Sequence, residues 1–191
     1  ADSLQDLQMF GEYGGVNPSI ADSSTFTYLA GKTMGDVFEG NREGCYLYSR
    51  HTNPSTSYLG QALASMEALK GAILSASGMS AISNTIMQIC NSGDEIICSR
   101  TIYGGTYALM KNYLPKFNIH TKFVDITNLE QIENSISKNT KVIYCETISN
   151  PLLEVADIKK ISQISKRFKI KFVVDNTFTP LIFSPAKMGA D

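Results

Sequence analysis

Residues 171–180 read KFVVDNTFTP, a stretch in which a short apolar run ends in a carboxylate. The run at 172–174 has the length and composition of a buried strand, and Asp175 follows it directly, before several small polar residues. Burying an unpaired charge is costly, so a carboxylate in this position needs a partner. The stretch therefore predicts a buried strand that delivers Asp175 to a functional site.

The same pattern extends back along the chain, where apolar runs of strand length alternate with helical periodicity. Strands are predicted at 72–77, 95–99, 119–125, 141–146 and 171–175. Helices are predicted from 78 to about 90, over 105–114 with an end at Pro115, over 128–137, and around 158–168. This alternation predicts an α/β fold with a mostly parallel sheet and helices on both faces.

The first 45 residues differ, because they are rich in glycine and polar residues and show no sustained periodicity. We expect residues 1–45 to form an extended N-terminal arm that contacts other parts of an assembly. Residues 46–191 are expected to form the main domain.

Composition excludes several classes of protein. Hydrophobic residues make up 43% of the 191-residue chain, enough for a sizeable core, and the net charge of -1 with no basic block argues against nucleic-acid binding. No apolar run is long enough for a membrane span, and the first 15 residues do not resemble a signal peptide. The four scattered cysteines suggest reduced thiols in a cytoplasmic protein, and the two distant histidines predict no metal site.

Polar clusters follow the predicted strands at the point where each strand ends. Parallel α/β sheets bind ligands beyond the carboxyl ends of their strands, so these clusters should meet at one edge. The clusters are 77–78, 103–105, 146–147 and 175–177. Their common location is the physical argument for a functional site.

Each cluster has a functional and a structural interpretation. Ser77, Gly78 and Met79 begin a predicted helix, which suits a phosphate but also an ordinary serine N-cap. Tyr103 could stack on a planar ligand or simply cover the rim of the sheet.

Three further residues are equally open when each is taken alone. Tyr48 and Arg50, in YLYSRHTNP, suit a phosphate or a solvated loop. Asn150 precedes a proline, as in many plain turns.

Together, the clusters describe a ligand with a phosphate, a flat ring, a ring oxygen and a basic ring nitrogen. Pyridoxal 5'-phosphate (PLP) has all four groups, and Asp175 would then pair with its protonated ring nitrogen. An unrelated sugar-phosphate binder would not need both Tyr103 and Asp175.

Five motifs in register now identify a resemblance that covers nearly the whole chain: YLYSRHTNPS, SASGMSAI, GDEIICSRTIYGGTYAL, ETISNP and VVDNTFTP. They resemble the Cys/Met-metabolism family of PLP-dependent enzymes, which includes cystathionine γ-synthase, cystathionine β- and γ-lyases, methionine γ-lyase and O-acetylhomoserine sulfhydrylase. The resemblance implies an aspartate-aminotransferase-like fold (PLP fold type I) and a homotetramer built as a dimer of dimers.

The resemblance also implies roles for individual residues. Gly78 and Met79 would donate backbone N–H groups to the phosphate, with Ser77 beside them. Tyr103 would stack on the ring and assist deprotonation of the substrate, while Asp175 would pair with the ring nitrogen.

The remaining implied roles complete the cofactor pocket. Asn150 would lie near the ring oxygen, and Thr177 is also expected among the cofactor-binding residues. Tyr48 and Arg50 would reach the phosphate of a neighbouring subunit, so the active site would be shared between subunits.

Two departures from the family pattern stand out. The lysine that bonds to the cofactor and the arginine that grips the substrate carboxylate match no position here, and Lys187 is expected on the surface. We therefore expect an N-terminal portion that is inactive alone. Gly105 stands where methionine γ-lyases commonly carry cysteine, which favours the other members.

The resulting expectation is a carbon–sulfur lyase acting by β- or γ-elimination on a cystathionine- or methionine-like amino acid. The alternatives are a γ-replacement transferase and a non-catalytic truncated module. No nucleic-acid or membrane partner is expected.

Overall fold

The computed structural model describes residues 16–42 and 44–191, which form two compact units. The first unit contains the described residues up to Ala64 together with Gly71–Ile73, and the second contains Ser65–Lys70 and Leu74–Asp191. Within the described ranges, no helix combines the length and apolar character needed to cross a membrane.

The first unit contains helix α1 (Gly31–Phe38) and most of helix α2 (Pro54–Glu67). The last three residues of α2, from Ser65 onward, belong to the second unit. The start of α2 is fixed by Asn53, whose Oδ1 accepts the Ser55 N–H at 2.9 Å. Gly60 allows the helix to pass close to the backbone of Ala72, because a Cβ atom at position 60 would lie 2.9 Å from the carbonyl oxygen of Ala72.

Helix α1 lies inside the segment predicted to be an extended arm, so that prediction is wrong for these eight residues. Met34, Val37 and Phe38 follow helical spacing, but two turns are too short for periodicity to stand out against the surrounding glycines. Residues 1–15 of the predicted arm lie outside the described residues.

The second unit is built on a four-stranded parallel sheet of order β2-β1-β3-β4. The strands are β1 (Glu95–Ser99), β2 (His120–Val124), β3 (Thr140–Glu146) and β4 (Lys171–Asp175). The helices are α3 (Gly78–Ile89), α4 (Gly104–Ala108), α5 (Leu129–Ser135) and α6 (Ile158–Phe168), followed by a short 3-10 turn at Ala186–Met188. The predicted parallel α/β sheet is confirmed.

The sheet is buried on both faces, because alternate residues of β1 and β3 enter two separate cores. Ile97, Ile143 and Cys145 pack in one core with α5 and α6. The other core receives the intervening side chains of the same strands together with residues of α3 and of the helical segment after β1. Two-sided burial explains why these strands read as continuous apolar runs.

The predicted strand at 72–77 is wrong, since these residues form neither a helix nor a strand. The side chain of Ile73 is 95% exposed. A strand requires a neighbour that pairs with its N–H and C=O groups, and apolar composition alone does not provide one. No such neighbour pairs with this segment among the described residues.

The helix predicted at 105–114 changes type rather than ending at the proline. Helix α4 widens into a π-helix at Leu109–Tyr113 and then tightens into a 3-10 helix at Leu114–Phe117. Pro115 has no N–H, and its ring would clash with the carbonyl four residues earlier in a regular α-helix. The widened turn accommodates that ring.

All four cysteines are free, in agreement with the expected reduced thiols. Cys90, Cys98 and Cys145 are buried and serve as small apolar side chains. Burial raises the pKa of the Cys90 thiol to about 11, which makes it unreactive at neutral pH.

Phe172 offers a direct test of this two-faced core. Its ring is completely buried, so Phe172→Ala should lower the free energy of unfolding by about 3–5 kcal/mol through lost burial and a residual cavity. The matched control is Phe117→Ala, because the Phe117 side chain is 55% exposed and should cost far less. Urea unfolding of the full-length protein that carries this chain measures both. Equal losses would contradict the assigned core.

Candidate functional site

One cavity of about 380 Å³ lies within the second unit, where the carboxyl ends of β3 and β4 meet the start of α3. Its volume falls within the range of small-molecule sites. The lining combines polar and apolar side chains: Ser77, Gly78, Met79, Ile82, Tyr103, Glu146, Ile148, Asn150, Asp175, Thr177 and Phe178.

The start of α3 contributes backbone donors to the cavity. Ser77 caps the helix, and its hydroxyl oxygen accepts the Ser80 N–H at 3.1 Å. The N–H groups of Gly78 and Met79 have no hydrogen-bond partner among the described residues. They lie at the positive end of the helix dipole, which makes this wall suited to an anion.

Asp175 places a carboxylate at the same cavity, at the end of β4. Its Oδ1 accepts the backbone N–H and the hydroxyl of Thr177, and its Oδ2 accepts the Tyr144 hydroxyl at 3.3 Å. Burial, followed by the nearby Asp175 carboxylate, raises the pKa of Tyr144 far above its usual value. The phenol therefore remains a donor, and the Asp175 carboxylate is held from two sides.

Tyr103 immediately precedes α4, and its side chain is half exposed at the cavity. Gly105 makes room for its ring, because a Cβ atom at position 105 would lie 2.6 Å from Tyr103 Cε1. The same Cβ atom would lie 3.1 Å from Met79 Sδ. A glycine at 105 therefore permits the observed position of the Tyr103 ring.

Glu146 ends β3 and is buried, with 7% of its surface exposed. Its Oε1 accepts the Tyr103 N–H at 2.8 Å, and its Oε2 accepts the Asn150 N–H at 2.9 Å. The peptide between Asn150 and Pro151 is cis. From the sequence, Glu146 was predicted to belong to a polar cluster at a strand end, but no role was predicted for it.

Arg100 joins the loops that follow three strands. Its Nη2 lies 2.7 Å from Asp125 Oδ2 and 3.4 Å from Glu154 Oε1. Glu154 also accepts a hydrogen bond from the Thr101 hydroxyl. These contacts link the ends of β1 and β2 to the loop after β3.

Seven of the predicted site residues line this cavity: Ser77, Gly78, Met79, Tyr103, Asn150, Asp175 and Thr177. Tyr48 and Arg50 belong to the first unit. There the Arg50 guanidinium lies 4.5 Å from the centroid of the Tyr48 ring, and Tyr48 forms an isolated antiparallel bridge with Thr25. The segment turns after Tyr48, over residues 49–51.

Sequence reasoning missed the apolar part of the lining. Ile82 lies one turn into α3, while Ile148 and Phe178 lie in the loops after β3 and β4. Little in the sequence indicated that these three residues line a cavity, since each is a single apolar residue within a polar motif. Among the described residues, no group of three or more His, Cys, Asp or Glu side chains is placed to hold a metal ion.

The arrangement suits a planar ligand with an anionic end. Free N–H groups form one wall, a carboxylate held by donors lies at another, and an aromatic ring and apolar side chains complete the lining. An anionic group would meet the donors, while a cationic group would meet Asp175.

Comparison with known proteins gives a consistent result. The family model described as "Cys/Met metabolism PLP-dependent enzyme" matches residues 4–191. A methionine gamma-lyase of Arabidopsis thaliana is 45% identical over 187 residues, which are 95% of this chain and 42% of the relative. A cystathionine beta-lyase MetC of Staphylococcus haemolyticus is 39% identical over 94% of this chain and 44% of the relative.

Solved structures agree with these relatives. A putative O-acetylhomoserine (thiol)-lyase of Campylobacter jejuni, solved with a pyridoxyl-lysine monophosphate, is 35% identical with a TM-score of 0.87. The match covers 93% of this chain and 44% of that one, and it confirms the predicted fold class. The chain thus spans less than half the length of the curated relatives named above.

The Arg100 network predicts a specific dependence of stability on pH. Hydrogen bonds from Thr127 and Arg100 lower the pKa of Asp125 from 3.8 to about 2. A lowered pKa in the folded state stabilises the fold above the unfolded value, and this stabilisation is lost as the pH falls from about 4 to 2. The pair is partly exposed, so Asp125→Asn should cost at most about 1 kcal/mol at pH 6.

That cost should shrink as the pH falls through this window, when the free energy of unfolding is measured in urea. Glu130→Gln is the control, because Glu130 makes no hydrogen bond or ion pair with the side chains that the structure describes. A cost of Asp125→Asn that stays constant down to pH 3 would show that the carboxylate charge is not the source.

Proposed function

This chain belongs to the Cys/Met-metabolism family of PLP-dependent enzymes, and from that membership we propose that the full-length protein is a carbon–sulfur lyase. It would use PLP to release a sulfur-containing group from a cystathionine- or methionine-like amino acid by β- or γ-elimination. The relatives named methionine gamma-lyase and cystathionine beta-lyase support this class of reaction.

The observation that carries the proposal is the pairing of opposite charges within one cavity. The free N–H groups that begin α3 suit the phosphate of PLP, and the carboxylate of Asp175 suits a protonated ring nitrogen. The residues present therefore fit the cofactor. When bound, PLP supplies an electron sink for the negative charge that develops at the α-carbon of an amino acid.

The residues around the cavity then take the following roles in the proposal. Gly78 and Met79 bind the phosphate, with Ser77 holding the helix start that presents their N–H groups. Asp175 keeps the proton on the ring nitrogen, and Thr177 orients its carboxylate.

Tyr103 and Asn150 complete the binding of the ring. Tyr103 stacks on it and takes part in moving the substrate proton, while Asn150 lies near the ring oxygen. Tyr48 and Arg50 are proposed to bind the phosphate of a neighbouring subunit, in a dimer of dimers. Their paired cation and ring offer a fork of donors beside a phenol.

Residues 1–45 are proposed as an arm that serves the oligomer, with residues 46–191 as part of the cofactor domain. Free cysteines support a reducing compartment, which favours the cytoplasm.

A γ-replacement transferase is the second candidate. It is favoured by the match to the Campylobacter jejuni protein, a putative O-acetylhomoserine (thiol)-lyase. The two candidates share the cofactor and the loss of the α-proton and differ in the fate of the carbon that carries the leaving group.

Product analysis with the PLP-loaded full-length protein separates the two candidates. Ammonia and a 2-oxo acid from cystathionine or methionine indicate a lyase, whereas a new thioether from O-acetylhomoserine and a thiol indicates a transferase. Absence of product from all of these substrates would contradict both.

Asp175→Asn should lower kcat at least about 100-fold while PLP remains bound, because a neutral amide no longer stabilises the charged ring. The control is Asp157→Asn at the start of α6, where Asp157 caps the helix and should affect stability without changing kcat. Equal kcat for the Asp175 variant and the unmodified protein would remove Asp175 from the mechanism.

Gly105→Ala should displace the Tyr103 ring and weaken PLP binding several-fold, because the added methyl group would occupy the space of that ring. Its neighbour provides a matched control. A Cβ atom at Gly104 would meet nothing within 4 Å, so Gly104→Ala should bind PLP as the unmodified protein does. Titration of the apo-protein with PLP measures both, and similar affinities for the two variants would contradict this account of Gly105.

A further inference from the structure

Glu146 joins two separate segments that approach the cavity, the start of α4 and the loop after β3. Its two carboxylate oxygens are each used by a backbone N–H, from Tyr103 at 2.8 Å and from Asn150 at 2.9 Å. These two N–H groups belong to the residues proposed to contact the cofactor ring. A single buried side chain therefore determines the distance of both from the end of β3.

The chemistry of this contact requires a carboxylate. A buried charge is costly unless it is hydrogen-bonded, and two N–H donors offset that cost. Burial raises the pKa of Glu146, the two backbone hydrogen bonds lower it, and neighbouring Asp175 raises it again. A glutamine would keep the shape but only one acceptor oxygen, so it could serve only one of the two segments.

The sheet explains why Glu146 can reach both segments. Glu146 pairs in register with Asp175, so the two carboxylates leave adjacent strands at the same level. Asp175 is held by Thr177 and Tyr144, whereas Glu146 is held by backbone groups alone. The two acidic residues thus have different partners although they occupy equivalent positions.

We propose that Glu146 is a positioning residue, which holds Tyr103 and Asn150 in the orientation that the cofactor ring requires. The inference rests on the proposed function, because it assigns Glu146 a task toward the same cofactor. Glu146 acts through two backbone segments.

The test compares two Glu→Gln substitutions in the full-length protein, after removal of the cofactor and reconstitution with PLP. Glu146→Gln should weaken PLP binding at least about tenfold, because it removes a hydrogen bond to a charged group. At saturating PLP it should also change the circular dichroism band of the bound cofactor, since the ring would meet a displaced Tyr103. A role confined to stability would leave that band unchanged.

Glu67→Gln is the matched control. Glu67 also joins distant segments, by accepting a hydrogen bond from the Ser184 hydroxyl, but it does not line the cavity. Its variant should retain the affinity for PLP and the dichroism band even if its melting temperature falls. Wild-type affinity and an unchanged band for Glu146→Gln would overturn the proposal.

A measurement on the unmodified protein covers the case in which Glu146→Gln does not fold. The amide protons of Tyr103 and Asn150 should exchange slowly with solvent, because both are bonded to a buried carboxylate. Rapid exchange at both would overturn the positioning role. Failure of the unmodified protein to bind PLP would instead contradict the proposed function itself.

Discussion

Burial of the parallel sheet on both faces is the constraint on which the rest of this structure depends. Strands β1 and β3 lie in the centre, and their side chains alternate between two apolar cores. Polar groups are costly within such strands, so they collect where the strands end. The carboxylates of Glu146 and Asp175 lie at that edge because of the core.

The same constraint explains how much of the fold could be predicted. Residues 95–99 and 171–175 are strands with the predicted bounds, since an apolar run in a sheet buried on both faces has few alternatives. Residues 72–77 have a similar composition but form no strand, because pairing depends on a neighbour that composition does not reveal. Helix α1 was not predicted, because its two turns are too short for the helical spacing of apolar residues to be recognised.

The candidate site, like the fold, could be predicted only in part. The motif VVDNTFTP spans a real strand end, so Asp175 could be expected at the cavity. Gly78 was also expected there and lines the cavity from the start of α3, although the strand predicted before it does not form. The role of Glu146 could not be predicted, because its partners are backbone N–H groups that any residue would supply. The steric need for glycine at position 105 could not be predicted either, because it depends on the orientation of the Tyr103 ring.

The two carboxylates also explain why a cationic ligand suits this cavity. Glu146 and Asp175 lie at the same level of adjacent strands. Burial, and to a smaller extent the nearby Asp175 carboxylate, raises the pKa of Glu146. Glu146 is buried, and both of its oxygens are used by backbone donors. Asp175 accepts hydrogen bonds from Thr177 and Tyr144 but is only partly buried at the cavity, so it is the carboxylate that a ligand can reach. A positive group beside Asp175 would offset the repulsion between the two carboxylates and would thereby favour the charged form of Glu146. The protonated ring nitrogen of PLP would supply such a charge.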